Sequence, residues 1–123
     1  MPTTYGLTHI AISVADLDRT KKFYQAVFDM EVMYDEADFI QLTTPGSHDI
    51  LVFEKKKPNP NTGGIAHFGF RLRKEKDIEI LLEKIRSAGG KIKSSGEFVP
   101  GSPYVFFSDP DGYEVEVWFE KVD

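Results

Sequence analysis

Two histidines stand in near-matching surroundings half a chain apart. Gly6-Leu7-Thr8-His9-Ile10-Ala11-Ile12 and Gly64-Ile65-Ala66-His67-Phe68-Gly69-Phe70 each place a glycine three residues before the histidine and an alternating apolar stretch after it. A neutral imidazole is a nitrogen ligand for Fe, Zn, Ni and related ions. A carboxylate would add the charge such an ion needs, and Glu114, Glu116 and Glu120 recur at every second or fourth position near the C-terminus. Two imidazoles and one carboxylate on one face have the ingredients of a facial triad, which leaves coordination positions open for substrate or oxygen. A lone histidine in a strand is ordinarily just a tolerated polar residue. The repetition of the histidine is what points to metal.

These side chains must be held by strands, because strand residues alternate faces. In the first strand Ile10, Ile12 and Val14 share an apolar face, and His9, Ala11 and Ser13 the other. In the fifth, Phe68, Phe70 and Leu72 oppose His67, Gly69 and Arg71. In the last, Tyr113, Val115, Val117 and Phe119 oppose Glu114, Glu116, Trp118 and Glu120. His9, His67 and Glu116 therefore all fall on the mixed face, and parity alone does not choose among the three glutamates.

The apolar faces need cover, which two amphipathic helices can supply. The first is expected over Leu17–Asp29, N-capped by Asp16, with Leu17, Phe23, Tyr24, Val27 and Phe28 as its stripe. The second is expected over Lys76–Ala88, with Ile78, Leu81, Leu82 and Ile85 at helical spacing and Gly89-Gly90 ending it. Strands are expected at Glu31–Asp35, Phe39–Thr43 and Ile50–Glu54, then at Lys91–Ser94, Tyr104–Ser108 and Tyr113–Glu120. The order βαβββ thus occurs twice, an α+β arrangement of two tandem modules, about 5–57 and 63–121, in a single domain spanning 1–123. Lys55–Gly63, rich in Pro, Asn and Gly, is the expected linker.

A chain of 123 residues is long enough to bury a core without covalent staples. The absence of cysteine excludes disulfides, thiolate metal sites and cysteine nucleophiles. A net charge of −5 argues against nucleic acid as a partner. No apolar run reaches the length of a membrane span, and Met1-Pro2-Thr3-Thr4-Tyr5 lacks the regions of a signal peptide. A cytoplasmic home and a small-molecule partner are the expectations.

At these residues the sequence resembles the vicinal oxygen chelate superfamily, the glyoxalase/bleomycin-resistance/dioxygenase group. The resemblance is carried by Leu7-Thr8-His9-Ile10-Ala11, by Asp16-Leu17-Asp18-Arg19 with Phe23-Tyr24, by Gly64–Phe70, and by Ser108-Asp109-Pro110-Asp111-Gly112-Tyr113-Glu114-Val115-Glu116. The last looks like the group's turn leading to its ligand glutamate, and so selects Glu116. The turn also makes physical sense, since Pro110, Asp111 and Gly112 supply fixed φ, side-chain hydrogen bonding and positive φ. The resemblance implies two βαβββ modules in a half-open, curved sheet around a divalent metal held by His9, His67 and Glu116. It also implies a homodimer.

The group unites several reactions in which the metal acts as a Lewis acid on two neighbouring substrate oxygens. Glyoxalase I-like lyases add a ligand glutamate on the fourth strand. Here Val52 is aligned with that place, although Glu54 shares its face. Extradiol dioxygenases carry a separate acid/base histidine entering the fourth strand, where this sequence has His48 in Ser47-His48-Asp49. They also tend to carry a catalytic tyrosine near Phe106, and Tyr104 lies two residues back on the same face. The resemblance thus implies dioxygenase-like chemistry, with Fe or Mn, ahead of glyoxalase-like lyase or isomerase chemistry, with Ni or Zn. His48 and Tyr104 are the candidate catalytic residues. Fosfomycin-resistance chemistry would want more basic residues beyond the last ligand than Lys121. A bleomycin-type drug-sequestering module is the alternative from another class. Trp118, Tyr104 and Phe106 could line a pocket, and Arg71 could hold a substrate carboxylate or pair with Glu120.

Overall fold

The computed structural model describes residues 2–60 and 63–121. It contains β1 (His9–Val14), α1 (Leu17–Phe28), β2 (Glu31–Asp35), β3 (Phe39–Thr43), β4 (Ile50–Lys55), β5 (Phe68–Arg71), α2 (Asp77–Ser87), β6 (Lys91–Glu97), β7 (Pro103–Ser108) and β8 (Glu114–Trp118). The class is α+β and the order βαβββ occurs twice, as expected from the sequence. The chain divides into two compact units, Met1–Pro58 and Asn59–Asp123. Two residues of the expected linker, Asn61 and Thr62, lie outside the described residues.

In the first unit the four strands are ordered β1-β4-β3-β2, with β1 parallel to β4 and the other pairs antiparallel. One face is buried: Ile12, Val14, Ile40, Leu42, Leu51 and Phe53 pack with Phe23, Tyr24 and Val27 of α1. Tyr24 and Phe53 meet with ring centroids 4.9 Å apart. Fully burying side chains of this size stabilises by about 1.5–3 kcal/mol each. Leu17 and Phe28 are only half-buried, while Thr20, which the apolar pattern passes over, is buried on the same stripe. Asp16 caps α1 by accepting the Arg19 N–H at 3.1 Å. The helix stops one residue short of expectation, because Asp29 adopts a left-handed conformation (φ 54°) as its C-cap.

The second unit repeats the pattern as β5-β8-β7-β6, again with one parallel pair, β5 with β8. Val105, Phe107, Val115 and Val117 are buried with Ile78, Leu81 and Ile85 of α2. Helix α2 closes in a Schellman motif: Gly90 N–H donates to the Ile85 carbonyl at 2.9 Å and Gly89 N–H to that of Arg86 at 3.2 Å, with Gly89 at φ 93°. Strand β6 runs three residues beyond the expected Ser94, and β8 is shorter than expected because Tyr113 is held in the preceding turn.

Each sheet carries one register shift, in its edge strand. It falls between Val32 and Tyr34 in β2 and between Ile92 and Ser94 in β6. Met33 and Lys93 are thus the extra residues of two β-bulges at matching places. Among the described residues no helix is long and apolar enough to cross a membrane.

Candidate metal centre

Strand β8 is central to the second sheet, and Glu116 is its middle residue. The ladder sets Glu116 between Gly69 of β5 and Phe106 of β7. His67 sits immediately before β5, one step ahead of the Phe68–Val115 pair, and so lines up with Glu114. Side chains at these positions emerge on the face away from α2. Val115 and Val117, on the other face, are fully buried.

On that face His67 Nε2 lies 3.3 Å from Glu116 Oε1. Two donors each about 2.0–2.2 Å from one ion stand roughly 3–3.5 Å apart, so this pair already has the spacing of one edge of a coordination polyhedron. The chemistry of the donors, one imidazole nitrogen and one carboxylate oxygen, suits a borderline divalent cation. The Phe106 ring meets the imidazole edge-on at 5.1 Å. The Glu116 side chain is 18% exposed and that of His67 35%, so both remain reachable by a solute.

The turn before β8 fixes where Glu116 begins. Asp109, itself buried, accepts the N–H groups of Asp111 and Tyr113 through Oδ1, both at 3.0 Å. Gly112 N–H donates to the Asp109 carbonyl at 3.0 Å, and Gly112 has φ 91°. Asp109 thus ties the turn through its own side chain. Tyr113 is then anchored through its hydroxyl, which accepts the Asn59 N–H at 3.0 Å.

His9 opens β1 in the first unit, exposed, with Nδ1 2.9 Å from Thr8 Oγ1. Among the described residues, no three His, Asp or Glu side chains form a group able to hold an ion. Within the second unit the structure brings together His67 and Glu116; His9 belongs to the first unit.

The repeat resolves the choice between Val52 and Glu54. In the first unit Ala11 pairs with Val52; in the second, Gly69 pairs with Glu116. Val52 thus occupies the place that corresponds to Glu116. Glu54 corresponds instead to Trp118, since its partner Ser13 matches Arg71. Glu54 pairs with Lys56 at 3.3 Å.

His48 is exposed in the turn that enters β4. Asp49 organises that turn, accepting the Thr44 N–H and the Thr44 hydroxyl, each at 2.7 Å. Tyr104 stacks on Phe98 at 4.2 Å and meets Phe106 edge-on at 5.7 Å. Phe98 in turn meets Trp118 at 6.2 Å, so an aromatic wall runs from Phe98 to His67. Arg71 pairs with Glu120 at 3.3 Å, the rim pairing considered from sequence.

Two residues near the site escaped the sequence reading. Lys93 donates to Glu114 Oε1 at 2.7 Å. Alternation puts Lys93 opposite Ile92 on the mixed face, but the contact to β8 follows from the strand order, which alternation does not give. Gly69 stands opposite Glu116 without a side chain, a role signalled only by its place two residues after His67.

Comparison with known proteins bears on this pair. The family model described as Glyoxalase/Bleomycin resistance protein/Dioxygenase superfamily matches residues 6–117. A catechol-2,3-dioxygenase from Bacillus subtilis is 26% identical over 98% of this chain and 45% of its own length. The lactoylglutathione lyase GLX1 from Arabidopsis thaliana is 30% identical over 89% of this chain and 42% of its own. The chain therefore spans less than half the length of these two relatives. Among solved structures, a variant of the fosfomycin resistance protein FosX from Listeria monocytogenes superposes with a TM-score of 0.79 at 21% identity, over 94% of this chain and 90% of that one. That protein was crystallised with Mn(II) and 1S,2S-dihydroxypropylphosphonic acid.

Proposed function

Because the chain belongs to the Glyoxalase/Bleomycin resistance protein/Dioxygenase superfamily, we propose that it is a metal-dependent enzyme acting on a small molecule through two neighbouring oxygens. His9, His67 and Glu116 are the ligands in this reading. The observation that carries it is the 3.3 Å approach of Glu116 Oε1 to His67 Nε2 on the face opposite the helix. When bound, the metal supplies a Lewis acid for the paired oxygens.

Within that reading, cleavage of an aromatic vicinal diol comes first. Support comes from Val52, an apolar side chain at the place that corresponds to Glu116, which leaves three protein donors rather than four. The aromatic wall of Phe106, Tyr104 and Phe98 beside His67 suits a planar ring. In this mechanism His48 takes a proton from one substrate hydroxyl and returns it later. Tyr104 offers a hydroxyl as hydrogen-bond donor. The second reading, a lyase or isomerase of a thiol adduct, draws on the 30% identity to the plant lactoylglutathione lyase.

A homodimer fits the exposure of Tyr5, Leu7 and Ile65, large apolar side chains that open water would not favour. Light scattering of the purified protein reads its mass directly.

The deciding experiment loads the protein with Fe(II) or Mn(II) and follows oxygen uptake over a panel of catechols, beside isomerisation of a glutathione–methylglyoxal adduct with Ni(II) or Zn(II). Oxygen uptake supports ring cleavage. Isomerisation alone transfers the assignment to the lyase reading. A protein that binds none of the four metals puts the sequestering-module reading ahead of the enzyme.

A further inference from the structure

Glu114 stands two residues from Glu116 on the same face of β8, and its two carboxylate oxygens face different partners. Oε1 accepts from Lys93 Nζ at 2.7 Å. Oε2 lies 3.8 Å from His67 Nδ1, within ion-pair range and longer than a hydrogen bond. The imidazole is thus set between two carboxylates, with Nδ1 toward Glu114 and Nε2 toward Glu116.

The lysine stands at an irregularity in the backbone. Along β6, Ile92 pairs with Phe107 and Ser94 with Phe106, so Lys93 has no partner residue on β7. A bulge of this kind re-aims the side chain of its extra residue. Here the ammonium reaches past β7 to β8. An exposed Lys–Glu pair stabilises a fold little by itself, so its consequence is where it leaves the carboxylate.

We infer that Glu114, held by Lys93, is the positioning residue for His67: it takes the Nδ1 side of the ring and so presents Nε2 to the metal beside Glu116. The inference rests on the metal-centre reading above. A ligating histidine generally donates its second ring N–H to a carboxylate, carbonyl or water, and that partner fixes both tautomer and ring orientation. Among the acidic side chains paired with His67, Glu114 is the one on the Nδ1 side. The corresponding bulge of the first unit carries Met33, so no such lysine exists there.

The test compares Mn(II) and Zn(II) affinities, by calorimetry, of the full chain with those of Glu114→Leu and Glu114→Gln, with thermal melts as a fold control. Leucine keeps the bulk and removes the acceptor; glutamine restores an acceptor oxygen. Affinity is expected to fall roughly 10–100-fold in Glu114→Leu and to recover most of the way in Glu114→Gln, with little change in melting. In Zn(II)-loaded protein labelled with nitrogen-15, the His67 Nδ1–H signal should exchange slowly in the parent and fast in Glu114→Leu. Unchanged affinity in Glu114→Leu overturns the role of Glu114 while leaving the metal centre standing. Equal weakness in both variants also overturns it, since the loss then follows packing rather than the acceptor. A parent chain that binds neither metal overturns the metal-centre reading and this inference with it.

Discussion

Gly69 and Glu116 face each other across the parallel β5–β8 ladder, and a methyl group at position 69 would meet the Glu116 carbonyl oxygen at 3.2 Å and its Oε1 at 3.4 Å. Alanine there needs only a few tenths of an ångström of give, and Gly→Ala at a compatible strand position offsets part of that by about 0.4–1 kcal/mol of unfolded-state entropy. Gly69→Ala should therefore shift the β8 backbone at Glu116 by that amount, and with it the carboxylate beside His67, at a small net cost in stability. Denaturant melts within about 1 kcal/mol of the parent, together with weaker Mn(II) binding by calorimetry, are the expected pair of results. Unchanged binding would show that Glu116 does not need the space.

Removing a proposed ligand should separate metal binding from folding. His9→Ala, His67→Ala and Glu116→Gln each take away one donor from an exposed or half-exposed side chain, so secondary structure by circular dichroism should be retained. Each is expected to abolish tight binding of Mn(II) or Fe(II), measured by metal analysis after desalting. A His9→Ala protein that keeps its metal would remove His9 from the set.

His48→Ala should leave metal content alone, because this exposed turn residue is assigned only to proton transfer. Turnover of a catechol is expected to drop by about 10²–10⁴-fold, the usual reach of general acid–base catalysis. Full activity in this variant would move the proton-transfer role elsewhere.

Asp109 makes a prediction about stability rather than chemistry. Its buried Oδ1 accepts two backbone N–H groups in the turn before β8, and bonds to a charged acceptor contribute about 1.5–3 kcal/mol. Asp109→Ala should lose roughly that much in urea titrations. Asp109→Asn, which keeps the oxygen, should lose less. Phe53→Ala, deleting a fully buried ring against Tyr24, should cost about 3–5 kcal/mol and serves as a measure of the core.

Strand alternation and helix periodicity made most of the fold legible. Glu31–Asp35 and Phe39–Thr43 are strands as read, because β-branched and aromatic residues alternate there between turn formers. Alternation also separated Ile12, Val14, Leu51 and Phe53, now buried, from His9, Val52 and Glu54 on the other face. What alternation could not supply is register. Val52 and Glu54 have the same parity, and only the pairing of β1 with β4 shows which of them matches Glu116. Thr20 was missed because its buried place depends on helix geometry rather than on apolarity. Lys93 falls on the mixed face by alternation from Ile92, but its reach to Glu114 depends on the strand order β8-β7-β6, which alternation does not give.

The paired irregularities at Met33 and Lys93 also mark one position in each sheet that the ladder leaves without a partner. A residue with no opposite number in the ladder can change type while every neighbouring backbone pair stays in step. Each half therefore owns one position where novelty is structurally cheap, lying in the same strand of the same layout. A thioether at one and an ammonium at the other give two sheets of the same layout different chemistry at the same place.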